Sequence, residues 1–405
     1  MTAILTLTLI GCGNQLLPTP TAIPETKSVW GRVLTIATTE HADAPAFQVE
    51  DGIVTFAWVG SDAAGVHQDV RILDEHGLSE TIALPLSPIR PDRLTVINTG
   101  TGGSSLVFYL DANTKTDGET RLYSAAFGLN RTLIQGPTPI SSTRTEAYTI
   151  IHAQDGKLWV IWSGGLPGEP TLYAQSIDAL GRPQLPVILM SDVKFPTSGE
   201  DQTGNPIIYW LSPSTRQIYR ARFVNGQLQD TTVLTDSIRL EVGERLVNFT
   251  AAQDTDYGYL FWNTVTVDGK AHTRYTSGLL TEQKWQAPVL FNITAGHSSD
   301  FVTGFNGGAA YSSHFPGSAP VTWVSPAQVQ GDKVLLAGQI GSAFGVIYLQ
   351  NGTVAAYQSV AHLDQPLIGL PAVATDIERH LYLAWSEPTP DDRAALRFTT
   401  TRPFN

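Results

Sequence analysis

Aromatic residues that close short apolar strands recur along this chain at a nearly constant interval. They fall at positions 58, 109, 162, 210, 262, 311, 348 and 385, so successive gaps are 51, 53, 48, 52, 49, 37 and 37 residues. Each is followed, about a dozen residues on, by a second strand carrying another aromatic or aliphatic side chain. The clearest copy runs from Asp155 to Trp162 and resumes at Thr171-Leu172-Tyr173. A repeat of this length matches one four-stranded blade of a β-propeller, about 40–50 residues. No helical periodicity persists for three turns. Asp-Gly at 51–52, 117–118, 155–156 and 268–269, and Asn-Gly at 225–226, 306–307 and 351–352, supply the positive φ that tight hairpins need.

These features predict an all-β fold, a β-propeller of four-stranded blades. Counting the aromatic positions gives eight blades, or seven if residues 300–360 make one irregular blade. The last repeat, Leu381–Trp385 and Leu396–Thr401, lacks an outermost strand, whereas Val29–Ile36 is a strand with no repeat of its own. Residues 29–36 are therefore expected to complete the final blade and close the ring, which removes an exposed edge. The same reasoning makes Trp58, Trp162, Trp210, Trp262 and Trp385 packing residues between blades, because they share one repeat position. Trp285 and Trp323 lie off that position and are the tryptophans left for ligand binding.

Composition narrows the partners. Acids number 37 against 25 bases, a net charge of −12, and no run of three Lys or Arg occurs. A nucleic-acid partner would need a basic face, so none is expected. The single cysteine, Cys12, excludes internal disulfides and Cys-based metal clusters.

Ile4 to Ile10 is a short apolar stretch, and Leu9-Ile10-Gly11-Cys12 resembles the lipobox of bacterial lipoproteins. That resemblance implies cleavage before Cys12 and diacylglycerol on its thiol, hence a membrane partner through the lipid and an extracytoplasmic location in the cell envelope. One departure is that no Lys or Arg stands before Lys27. Residues 13–27, with Pro18, Pro20 and Pro24 among threonines, read as an extended tether. The division expected is a signal over 1–12, a tether over 13–27 and one propeller domain over 28–405.

The Asp-Gly-x-Leu-x-Val-x-Trp strand at 155–162 and Trp285-Gln286-Ala287-Pro288 resemble BNR and sialidase-like propellers. Asp boxes of the form Ser-x-Asp-x-Gly-x-Thr-Trp are absent. So is the early Arg-Ile-Pro segment; Pro88-Ile89-Arg90-Pro91 has the order reversed. The resemblance implies a glycan-active alternative, a divergent sialidase-like hydrolase. The residues themselves favour a binding module for a glycan, peptide or envelope protein, with no cofactor and no assigned catalytic residue. Glu200-Asp201, Asp254/Asp256 and Asp391-Asp392 sit in expected turns and read as hairpin caps, not as the paired acids of a glycosidase. Asp111 to Glu119 has oxygens at alternate positions, but Lys115 occupies a ligand place, so a solvated loop is expected. Nine histidines show no zinc-helix spacing, and no metal is expected. His297 and His314, which border the sixth unit, join Trp285 and Trp323 as candidate ligand contacts.

Overall fold

The computed structural model describes residues 30–403, apart from residues 295–317, the loops at 41–44, 87–91, 99–104, 113–118 and 129–131, and a few isolated positions. Every regular element among the described residues is a β-strand. The strands form seven sheets in chain order, each an antiparallel meander of four main strands. The inner strands of blades one to five are Ala46–Glu50, Asp92–Asn98, Thr145–His152, Lys194–Glu200 and Arg245–Gln253. Blade six has a broken inner strand, Ser318–Thr322 and Gln328–Gln330, both pieces pairing with Lys333–Ile340. Blade seven begins at Ala372–Thr375.

Seven clusters of buried apolar side chains lie between the blades, each shared by two successive sheets. One of them joins blade seven to blade one through Tyr382, Phe398, Phe56 and Trp58. A small twisted sheet can bury both faces only against neighbours, and here each does. The second strand of each blade is apolar on both faces for this reason; seven of the eight residues in Ser105–Ala112 are buried. Outer strands are far more exposed, as Gln227–Val233 shows with no buried residue.

The repeat aromatics occupy these seams. Trp58, Trp162, Trp210, Trp262 and Trp385 are all at most 3% exposed. Several stack on the residue directly across the next strand. Trp162 and Tyr173 pair in register with centroids 5.3 Å apart, and Trp210 and Tyr219 do so at 5.7 Å. Each such cross-strand pair adds roughly 0.2–1 kcal/mol beyond burial. The turns follow the dipeptides: Asp51-Gly52, Asn225-Gly226 and Asn351-Gly352 each take positive φ at both positions. Gly226 also has no room for more, since a Cβ there would stand 2.8 Å from the ring of Trp159 on the preceding blade.

The count of eight is corrected to seven. The units read at 311 and 348 belong to one sheet: Val321 and Thr322 pair with Ile340 and Gln339, while Leu335 to Ala337 pair with Val346 to Tyr348. The shorter gaps of 37 residues arose because the broken inner strand of blade six was read as a blade of its own. Tyr311 lies outside the described residues. At the N-terminus, Leu34–Thr39 pairs antiparallel with Ala394–Thr400 and lies fourth in the sheet of blade seven, starting five residues and ending three residues later than the strand expected at 29–36. Trp30 is buried between blades six and seven.

Candidate functional site

The inner strands do not enter the ring smoothly. Pairing slips by one residue between Asp92 and Thr95, Thr145 and Ala147, Lys194 and Thr197, and Leu246 and Asn248. Each slip is a bulge near the first residues of an inner strand, so the same irregularity recurs in blades two to five. In blades two and four the extra residue, Arg93 or Phe195, takes a φ of +51°. Trp323, in the break of blade six, takes +54°. Bulges re-aim side chains and cluster beside binding sites. A left-handed conformation in a residue other than Gly costs about 1–3 kcal/mol, so the surrounding structure must hold it in place.

Arg93, Phe195 and Trp323 all face one cavity. It lies on the ring axis, at the end where the inner strands begin, and encloses about 570 Å³. All seven blades contribute to its wall, from Pro45 in blade one to Leu370 and Pro371 in blade seven. Trp58, Tyr148 and Phe249 add further aromatic surface, and Asn248 and Thr95 add polar groups. Among the described lining residues Arg93 is the one cation, and there is no carboxylate or imidazole. On the same side, Glu146 lies between Arg144 at 3.6 Å and Lys194 at 3.4 Å, two bases against one acid.

Tyr148 offers no free hydroxyl for proton transfer. It donates to the carbonyl oxygens of Phe108, at 3.1 Å, and of Arg93, and it meets Thr95 Oγ1 at 3.0 Å. Its role is to hold the bulge at Arg93. Asn263, buried at 1% exposure, does similar work on the far wall. Its Nδ2 donates to Asn248 Oδ1 at 2.8 Å and to Val324 O at 3.2 Å, while its Oδ1 accepts from Val324 N at 3.2 Å and from Thr273 Oγ1 at 2.8 Å.

Of the sequence candidates, Trp323 lies on the cavity wall. Trp285 does not; it pairs with Gly278 on an outer strand of blade five, and its ring fills the space above Gly258, where a Cβ would stand 2.9 Å away. His297, His314 and Cys12 lie outside the described residues. The acid pairs are turn caps. Asp201 accepts from the backbone of Thr203 and Asn205, both at 2.9 Å, and Asp254 from that of Asp256 and Tyr257. Burial alone would raise the Asp201 carboxyl, but hydrogen bonds from Thr203 and Asn205 outweigh it and hold it below the usual range. Asp391 accepts instead from the side-chain hydroxyl of Thr389, at 2.6 Å.

Asp376, Glu378 and His380 bring ligand atoms within 4.8 Å of one another, a grouping that could suit a cation. Asp376 is the same turn cap, however, accepting from His380 N at 2.8 Å and from Tyr382 Oη at 2.7 Å. Blade four builds that turn from Asp201, Thr203 and Asn205 without an imidazole or a second acid. A smaller cavity between the N-terminal strand and blade one holds His67 and the buried Asp69, 3.3 Å apart. The other ring nitrogen of His67 meets Gly65 O at 3.3 Å, so the pair is satisfied internally.

Sequence reasoning missed Arg93, Tyr148, Asn248 and Asn263. They stand on different blades, and no residue-type signature marks a bulge whose extra residue is Arg or Phe.

No protein-family model and no curated protein matches the chain in sequence. Solved structures do match in shape. The polysaccharide lyase Uly1 has a TM-score of 0.55 at 11% identity, each chain covering 88%. The fold is a seven-bladed β-propeller. Two others align less tightly. The GH93 α-L-arabinofuranosidase of Fusarium graminearum has a TM-score of 0.41 at 12% identity, over 77% of this chain and 92% of that one. The propeller domain of the Trilobed protease from Pyrococcus furiosus has 0.45 at 8% identity, over 90% and 99%.

Proposed function

We propose that this protein is a glycan-binding β-propeller, and that a saccharide enters the axial cavity from the end at which the inner strands begin. The observation that carries the reading is the wall itself, with aromatic faces from Trp58, Tyr148, Phe195 and Trp323 beside the planar polar groups of Arg93 and Asn248. Sugars offer C–H faces to aromatic rings and hydroxyl or carboxylate oxygens to such donors. A cavity of about 570 Å³ falls in the usual size range of a small-ligand pocket, about 300–1,000 Å³.

Glycan cleavage is the second reading, favoured by the fold shared with a polysaccharide lyase. A two-carboxylate mechanism would have to draw its acids from beyond the described lining residues. Mass spectrometry of a mixed pool of neutral and acidic oligosaccharides, incubated with the purified chain, separates the two. Depletion of intact oligosaccharides onto the protein supports binding. Defined shorter products support cleavage, and an unchanged and unbound pool sinks both.

The lipobox supports a lipid anchor at Cys12 and an extracytoplasmic location. Incorporation of labelled fatty acid that is lost in Cys12→Ser would support this, and its absence in the unsubstituted chain would remove it. The pairing of Leu34–Thr39 with Ala394–Thr400 supports a ring fastened by its N-terminal strand.

A further inference from the structure

We infer that Asn263 is a specificity-determining positioning residue: by fixing which end of Asn248 meets the cavity, it makes the wall a surface of hydrogen-bond donors that selects an anionic saccharide. The inference rests on the glycan reading above and adds the chemical class of the ligand.

The argument runs through groups whose polarity is not in question. A backbone N–H can only donate, so the contact of Val324 N at 3.2 Å must meet the oxygen of the Asn263 carboxamide. Its nitrogen is then the end that reaches Val324 O and Asn248. Because that nitrogen can only donate, the atom of Asn248 at 2.8 Å must be Oδ1. The Nδ2 end of Asn248, a group of two donors on the cavity wall, is what remains for a ligand.

Some acceptors in and behind the wall already hold a donor. The carbonyl of Arg93 accepts from Tyr148, as does that of Phe108. Thr250 Oγ1 accepts from Ala327 N at 2.9 Å. Arg93 itself carries donors and no acceptor. A carboxylate or sulfate finds charged and amide donors here, from Arg93 and from Asn248. Leaving a buried polar group unpaired is costly enough to set a preference of about tenfold or more. Asn263 also clamps both backbone groups of Val324, which pins the left-handed residue Trp323 beside it.

Titration calorimetry of the full chain with three tetrasaccharides of matched linkage tests this: one of uronic acids, one sulfated and one neutral. The unsubstituted protein should bind at least one anionic probe ten times or more tighter than the neutral one, and the stronger of the two identifies the group. In Asn263→Asp, the new carboxylate keeps the contacts from Val324 N and Thr273 and can only accept from Asn248. Asn248 must then turn its oxygen inward. The expected result is a loss of anionic binding by tenfold or more with neutral binding held within threefold. Asn248→Asp, which places an acceptor on the wall while leaving the Val324 clamp in place, should give the same pattern if Asn263→Asp folds poorly. Equal weakening of all three probes in both variants would reduce Asn263 to a structural residue and overturn the inference, as would equal binding of all three by the unsubstituted chain. Binding of no probe by the unsubstituted chain overturns the glycan reading itself.

Discussion

At one end of the propeller axis the inner strands begin with bulges, hold Arg93, Phe195 and Trp323 in left-handed conformations and open a cavity of about 570 Å³. At the other end the same strands finish in tight hairpins, and a separate cavity of about 240 Å³ is lined by blades three to six, with Ile150, Ala251 and Val329 on its border. The turns there are fastened by acids. Asp254 accepts from Tyr259 and from Asn351 N at 3.1 Å on the next blade, and Gly352 N donates to Tyr259 at 2.9 Å. The slips of the inner strands thus lie where side chains must be aimed, and satisfied turn chemistry lies where blades must be locked. The two ends should therefore fail differently when they are altered.

The largest effect is expected from removing residues 30–39, which takes away Trp30 and the fourth strand of blade seven. Thermal circular dichroism should show loss of the cooperative transition; an unchanged midpoint would show that the ring holds without them. Gly352→Ala should come next. Its φ is +78°, and a Cβ would stand 2.6 Å from the Tyr257 ring. Strain and overpacking together should cost about 2–4 kcal/mol in urea unfolding, with affinity for saccharide unaffected. Arg93→Gln at the open end should do the reverse, weakening an anionic ligand by about 1.5–2 kcal/mol with stability nearly unchanged. If instead Gly352→Ala abolished binding and Arg93→Gln unfolded the protein, the division of labour would be wrong.

The smallest effect concerns acid. Burial opposes ionisation of Asp201 and Asp376, but their hydrogen-bond partners prevail and hold both below the ordinary carboxylate value. A group depressed in the folded state contributes stability that is full above its unfolded pKa, about 3.9, and lost as pH falls through the folded value. Urea midpoints should fall between about pH 4.5 and pH 2.5, and Asp201→Asn should flatten part of that decline. The described cavity lining holds no carboxylate and adds nothing to it. A midpoint that falls just as steeply in Asp201→Asn would mean that other acids dominate.

The locked end was largely legible in the sequence. Asn225-Gly226 and Asn351-Gly352 announce their turns because positive φ restricts residue type, and Asp201 and Asp254 announce their caps because short acids bond nearby amides. The seam tryptophans were legible because packing repeats with the blade. The open end was not. Its wall takes two to four residues from each of seven blades, whose inner strands begin some 46–73 residues apart, so no local motif forms. Arg93 and Phe195 are not residues whose type suggests a left-handed bulge. Trp323 stood out only because it broke the repeat, and that same break led blade six to be counted twice.

Trp30 gives the disc a front and a back. Gly31 N donates to Thr400 O at 2.8 Å, and Thr400 pairs with Tyr382 at the turn where the inner strand of blade seven ends. The chain therefore joins the ring on the face opposite the cavity. The mouth of the cavity is thus left clear of the strand that fastens the ring, so a ligand can enter it without meeting the point of attachment.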